Sequence, residues 1–194
     1  LLRMMLSKKN DELTDLSGAI IVGTGTEKDI FTISGLAIVN AIIALRGRDY
    51  YSKFVEDTAF GKAYERFSMG GEDPERSWLT KDVDIVKKYY EDPKCTFRFS
   101  VNGYKALLTS TGYDNKMKNI KKIRKDLPIL FASGTDDPVG NMGEGVREAF
   151  QKFWDCGIKD LGIELYENDR HEILNETDRK QVYEDFYSWM KERM

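Results

Sequence analysis

Histidine and cysteine are scarce in this sequence of 194 residues. The two cysteines, Cys95 and Cys156, lie far apart, and no CxxC or CxxH pattern surrounds either of them. This spacing argues against a disulfide framework and against a zinc site. It is typical of proteins from a reducing compartment, so we expect a cytoplasmic location. We expect no metal and no cofactor, and any histidine-based acid–base chemistry must come from His171, the single histidine.

An excess of charge of one sign and a long apolar segment are also missing. The 30 Lys and Arg residues nearly balance the 33 Asp and Glu residues, which leaves a net charge of −3 and no basic field for nucleic acid. The longest uncharged run covers residues 30–45, whereas a membrane-spanning helix needs about 20 residues. We expect this run to be a buried helix. The alternative is an apolar helix that lines a pocket for a lipid-like substrate.

Three short apolar segments predict strands, at residues 18–23, 127–133 and 161–165. Helical patterns separate the strands, which predicts parallel pairing and an α/β fold. Residues 26–125 show helical segments without a convincing strand, and about a hundred residues is too long for a plain connection. We therefore expect a core formed by residues 1–25 and 126–194, with residues 26–125 inserted as a helical cap.

Capping residues and apolar spacing predict the positions of individual helices. Thr80 can cap a helix that ends near residue 91, and Asn175 or Thr177 can cap the last helix. A helix that begins near residue 141 should end at Gly157. Its buried face should comprise Met142, Val146, Phe150, Phe153 and Trp154.

Two loops that follow predicted strands carry the residues suited to catalysis. The sequence SGTDDPVG (133–140) follows the second strand, and YENDRHEILNE (166–176) follows the third. Because the carboxyl ends of parallel strands meet at one edge, Asp137 and His171 should face each other. A catalytic imidazole needs such a carboxylate to fix its tautomer. The alternatives are an ordinary Asp-Asp-Pro turn and a loop histidine with local hydrogen bonds, but the order of acid before histidine favours the pair.

These loops resemble the acid and histidine loops of α/β-hydrolase lysophospholipases, a group that includes monoacylglycerol lipases and serine aminopeptidase S33 hydrolases. The segments FGKAYERF (60–67) and SWLTKDVDIVKKYYEDPKCTF (77–97) resemble the helical cap of that group. The resemblance implies that Asp137 is the acid of the triad, with Asp136 as the fallback, and that His171 is the base. It also implies the C-terminal part of an α/β-hydrolase fold.

The nucleophile of this group, the serine of Gly-x-Ser-x-Gly, has no counterpart in the sequence. Ser68 and Ser110 each lack the first glycine of the motif, so we do not expect either to attack a substrate. The helix at Leu1 resembles the one that follows the nucleophile turn. We therefore expect the serine to lie upstream, in a missing N-terminal part of the same protein, and the fragment alone to be inactive.

The resemblance implies a serine hydrolase that cleaves carboxylic esters of lipids such as lysophospholipids or monoacylglycerols. Two alternatives stay open: an S33-type aminopeptidase, and a non-catalytic binding or interaction module. Residues 116–125 form a basic run with interleaved apolar residues. We expect a solvated amphipathic turn there, with a transient contact to an anionic membrane surface as the alternative.

Overall fold

The computed structural model describes residues 1–60 and 62–193, and it contains a sheet of three parallel strands. They are β1 (Ala19–Val22), β2 (Ile129–Gly134) and β3 (Leu161–Tyr166), in the order β1-β2-β3. Ala19 of β1 pairs with Ile129 of β2, which in turn pairs with Leu161 of β3. The predicted strands and the predicted α/β class are confirmed.

Helices surround this sheet. In chain order they are α1 (Leu2–Lys8), α2 (Asp29–Arg46), α3 (Lys53–Ala59), α4 (Val83–Glu91), α5 (Val101–Asp114), α6 (Met117–Ile120), α7 (Glu144–Asp155) and α8 (Arg179–Lys191). Short 3₁₀ helices lie at Asn10–Glu12, Lys62–Tyr64, Pro74–Arg76 and Ile173–Asn175.

The segment between β1 and β2 is helical. It contains α2 to α6, and the strand-like pairing in its described part is an isolated bridge between Ser68 and Ser77. Gly61, within the segment compared with a helical cap, lies outside the described residues. The division into a core and a cap at residues 26 and 125 stays a prediction.

The central strand β2 organises the hydrophobic core because all six of its residues are buried. Alternate side chains of a strand point to opposite faces of the sheet. Ile129 and Phe131 accordingly pack with α7 and the segments before β1 and β2, whereas Leu130 and Ala132 pack with Val182 of α8. Coverage of both faces is what a parallel sheet requires.

Helix α7 buries a narrower face than the sequence predicts. Val146, Ala149 and Phe153 are completely buried, but Trp154 is 57% exposed. The prediction of Trp154 as a core residue is therefore wrong, because successive side chains of a helix point about 100° apart and Phe153 already faces the sheet. Met142 precedes the helix and has a positive φ of 55°, so it does not belong to this face either.

This difference between two adjacent aromatic residues predicts unequal effects on stability. Phe153→Ala should lower the free energy of unfolding by about 3–5 kcal/mol, because it leaves a cavity beside Phe131. Trp154→Ala should change it by about 0.5 kcal/mol or less, because most of that side chain contacts solvent. Chemical denaturation of both variants measures the difference, and equal losses would contradict the packing of α7.

The predicted helix caps are wrong at two positions. The carboxylate of Asp82 caps α4 by accepting a hydrogen bond from the Ile85 N–H at 3.2 Å. Thr80 instead donates its hydroxyl to the carbonyl of Asn175, at 2.9 Å. Helix α8 begins after Asp178 without a side-chain cap. Thr80 is thus used in a long-range contact that its local sequence does not show.

Helix α2 is not a buried helix, contrary to the prediction. It is long and apolar enough to cross a membrane on length and composition alone, yet only 11% of its residues are buried. Val39 packs with Val55, Val101 and Tyr104, which belong to α3 and α5. The opposite side of α2 has no such neighbours among the described residues, so it leaves apolar side chains exposed: Ile30, Phe31, Ile33, Ile38 and Leu45.

Candidate active site

Asp137 lies in the loop that follows β2, and its carboxylate is completely buried. Oδ1 accepts a hydrogen bond from the Val139 N–H at 2.8 Å, and Oδ2 accepts one from the Ser133 hydroxyl at 3.0 Å. These two donors provide hydrogen bonds to a buried carboxylate, whose burial without partners would cost free energy of folding. They also fix the direction of the carboxylate.

The imidazole of His171 lies against this carboxylate, although the two residues are 34 positions apart. Its Nδ1 is 3.1 Å from each carboxylate oxygen of Asp137. Because an ionised carboxylate can only accept, Nδ1 carries the proton and Nε2 is left with a free lone pair in the neutral ring. The His171 side chain is 27% exposed. No hydrogen bond to Nε2 occurs among residues 1–60 and 62–193.

Asp136, the fallback acid, points elsewhere. Its carboxylate forms an ion pair with Arg66 at 3.1 Å, and its N–H donates to the carbonyl of Asp169 at 2.8 Å. The structure therefore brings Asp137, and not Asp136, into contact with His171.

The histidine ring has close neighbours that the sequence did not indicate. Gly23, at the end of β1, has a φ of +59°, and a Cβ at this position would lie 2.8 Å from Cε1 of His171. Only a residue without a side chain allows this approach. The indole of Trp78 lies with its centroid 5.3 Å from the imidazole centroid, at an interplanar angle of 31°.

Tyr64 extends this aromatic group, because its ring contacts Trp78 edge to face at 5.8 Å. Burial raises the pKa of the Tyr64 phenol, and the negative charges of Asp137 and Glu27 raise it further. The phenol therefore remains neutral throughout the physiological pH range.

The loop that carries His171 is held by a buried polar network. Glu176 is completely buried and accepts hydrogen bonds from the backbone N–H groups of Arg170 at 2.9 Å and of Lys81 at 3.0 Å. The Lys81 ammonium donates to the buried carboxylate of Asp169 at 2.7 Å. Burial raises the pKa of Asp169, although Lys81 opposes this effect. The loop therefore has a fixed conformation beside the imidazole.

The two serines considered from the sequence do not contact His171. The Ser68 hydroxyl donates to the Glu72 carboxylate at 3.2 Å, and Ser110 lies within α5. The described residues thus contain a paired acid and base without a serine in hydrogen-bonding distance of the base.

Neither cysteine replaces the serine. Both thiols are free, and burial raises the pKa of Cys156, which disfavours the thiolate. In the part of the chain that the structure describes, no group of three or more His, Cys, Asp or Glu side chains is arranged to hold a metal ion.

Four contributors to the site escaped the sequence analysis: Gly23, Trp78, Ser133 and Glu176. Ser133 lies four residues before Asp137, and Glu176 ends the histidine loop. Both therefore belong to the two loop segments, 133–140 and 166–176, that the sequence indicates. Gly23 and Trp78 come from distant parts of the chain. Their approach to His171 depends on the tertiary structure.

Comparison with known proteins identifies the family and the fold. A model of the family described as serine aminopeptidase, S33, matches residues 17–178. A thermostable carboxyl esterase from Bacillus coagulans, solved with glycerol, superimposes with a TM-score of 0.83 at 23% identity, covering 98% of this chain and 60% of the esterase. No curated protein matches the chain.

Two lipase structures are also similar. A soluble variant of monoglyceride lipase from Saccharomyces cerevisiae, bound to a substrate analogue, has a TM-score of 0.66 at 19% identity over 100% of this chain and 61% of its own. Monoacylglycerol lipase from Paleococcus ferrophilus superimposes with a TM-score of 0.66 at 19% identity. The match covers 100% of this chain and 64% of the lipase. At these identities the likeness shows the fold, which is part of an α/β-hydrolase, and the chain spans about three fifths of these structures.

Proposed function

Because the chain belongs to the serine aminopeptidase S33 family, we propose that it supplies the acid and the base of a serine hydrolase. The observation that carries this proposal is the contact between the Nδ1 of His171 and the carboxylate of Asp137, at 3.1 Å. The contact joins two loops at the carboxyl edge of a parallel sheet, where ligands of such folds bind.

The reaction follows from the protonation states of this pair. Nε2 of His171 accepts the proton of a serine hydroxyl as its oxygen attacks the acyl carbonyl of the substrate. The ring then carries a positive charge, which the adjacent carboxylate of Asp137 stabilises. Nε2 next gives the proton to the leaving alcohol as the ester C–O bond breaks, which leaves the acyl group on the serine oxygen. A water molecule then attacks this acyl group while Nε2 takes its proton, and the proton passes to the serine oxygen as the carboxylic acid product is released. Ser133 and the Val139 N–H keep the carboxylate in place throughout.

We propose that the serine comes from a part of the same protein outside these 194 residues. Two observations support this. Nε2 of His171 has no serine partner in the described part of the chain, and β1 lies at an edge of the described sheet with one side unpaired. Parallel sheets are normally extended and covered, so β1 is suited to pair with a further strand. By this proposal the fragment alone does not hydrolyse substrate.

Lipid esters such as lysophospholipids or monoacylglycerols are the proposed substrates. The exposed apolar side of α2, with Phe31 and Ile33, can contact an acyl chain or a lipid surface, and patches of this kind mark interaction sites. We also propose a cytoplasmic location, in line with two free thiols, and a transient contact with the membrane surface. An S33-type aminopeptidase is the second candidate, because the matching family is described by that activity.

A fluorophosphonate probe tests the proposal, because it labels only an activated serine. We expect no labelling of the 194-residue chain and strong labelling of a form extended at the N-terminus to include Gly-x-Ser-x-Gly. The extended form should hydrolyse monoacylglycerol or lysophospholipid faster than an aminoacyl peptide analogue. Labelling of Ser68 in the short chain, or no labelling of the extended one, would contradict the proposal. Preference for the peptide would favour the aminopeptidase.

A further inference from the structure

Residues 75–82, which we name the clamp segment, belong to the helical insertion but pack against the histidine loop. Backbone hydrogen bonds join them directly. The His171 N–H donates to the carbonyl of Trp78 at 3.4 Å, and the Glu172 N–H donates to the carbonyl of Leu79 at 2.7 Å. The insertion therefore holds the main chain of His171 and of the residue that follows it.

Arg170 adds a second set of contacts between the same two segments. Its guanidinium donates to three carbonyls of the clamp segment, those of Glu75 at 2.9 Å, Ser77 at 2.5 Å and Thr80 at 3.2 Å. A guanidinium is planar and rigid, so its three hydrogen bonds hold several carbonyls of the clamp segment in a defined arrangement around one side chain. Arg170 therefore joins the clamp segment to the histidine loop at three points.

The third contact reaches the imidazole itself. The indole of Trp78 is tilted by 31° relative to the His171 ring, with a centroid distance of 5.3 Å, and Tyr64 of the insertion contacts the indole edge to face. Asp137 holds only the Nδ1 edge of the imidazole. A ring held at one edge can still tilt, and a neighbouring aromatic ring restricts that tilt.

We propose that Trp78 is a positioning residue for His171, and that through it the insertion controls the orientation of the base. The inference rests on the proposed function. A displacement of the insertion, such as one that admits a substrate, would shift the clamp segment and turn the imidazole away from the serine. Proper orientation of Nε2 would thus require the clamp segment in the position observed here.

The single histidine allows a direct spectroscopic test that needs no activity. In the 194-residue chain labelled with ¹³C-histidine, every imidazole carbon-bound proton signal belongs to His171. The ring current of Trp78 should displace these signals from their position in a free imidazole. Trp78→Leu should abolish this displacement and Trp78→Phe should retain part of it. Trp154→Leu, at an exposed tryptophan of α7, should leave it unchanged. Identical spectra for Trp78→Leu and the unaltered chain would overturn the proposal.

Kinetics of the serine-containing form separate positioning from substrate contact. Trp78→Leu should lower kcat for ester hydrolysis about ten- to a hundredfold, because a misdirected base affects the chemical step. KM should change little, and Trp78→Phe should recover most of kcat. A raised KM with unchanged kcat would overturn the proposal and make Trp78 a wall of the substrate site. If the unaltered extended form hydrolyses no ester, the proposed function fails, whereas the spectra still decide whether Trp78 lies against the ring of His171.

Discussion

His171→Ala should reduce kcat for ester hydrolysis on the order of 10⁶-fold in the form of the protein that contains the serine. The size of the effect follows from the structure, because His171 is the single histidine and its Nε2 has no hydrogen-bond partner among the described residues. The sequence offers no second histidine to take over proton transfer.

Hydrolysis of a chromogenic ester measures this effect, with Glu172→Ala as the matched control. Glu172 neighbours His171 in the same loop, and its carboxylate accepts a hydrogen bond from the Asn175 amide instead of contacting Asp137. The control should keep kcat within about a few-fold of the unaltered protein, because the Glu172 carboxylate contacts Asn175 and not the reacting imidazole. An active His171→Ala variant would remove the basis of the hydrolase proposal.

Asp137→Asn should lower kcat about 10⁴-fold, whereas Asp136→Asn should have little effect. An asparagine at position 137 keeps the shape of the side chain, but its amide can present hydrogens to Nδ1 of His171 and so favour the unproductive tautomer. It also no longer balances the charge of the imidazolium. Asp136 contacts Arg66 and not the imidazole, so its charge does not serve His171 in this way.

The comparison of these adjacent residues tests which carboxylate acts. Both variants are measured in the serine-containing form with the same ester, and the thermal unfolding of each is recorded to show that it folds. A larger loss of kcat for Asp136→Asn than for Asp137→Asn would reverse the assignment. Equal and small losses would show that His171 works without a carboxylate partner, against the geometry of the site.

The local sequence was sufficient for the strands and for the pairing of the two loops. Segments such as 127–133 are apolar enough to be buried on both faces, and burial of this kind is a property of a short segment. The meeting of Asp137 and His171 follows from one further rule, since parallel strands end at a common edge. For this reason the sequence already indicates these two side chains as a candidate acid and base.

Local patterns were not sufficient where a residue has a choice of partners. Thr80 is a residue type that caps helices, but its hydroxyl bonds to the carbonyl of Asn175. Helix α2 has the apolar composition of a buried helix, but it packs on one side only. The ion pair of Asp136 with Arg66, which turns that carboxylate away from the imidazole, is of the same kind. These outcomes depend on which distant segment occupies the neighbouring space.

The sequence by itself therefore determined the α/β class, the three strands and the meeting of the two loops that carry Asp137 and His171. Tertiary structure alone decided that Asp136 pairs with Arg66, that Gly23 and Trp78 border the imidazole, and that the clamp segment holds the histidine loop. The reason is physical. Burial and strand formation depend on residues a few positions apart, whereas the hydrogen bonds and ring contacts around His171 join residues that are distant in the chain and close only after folding.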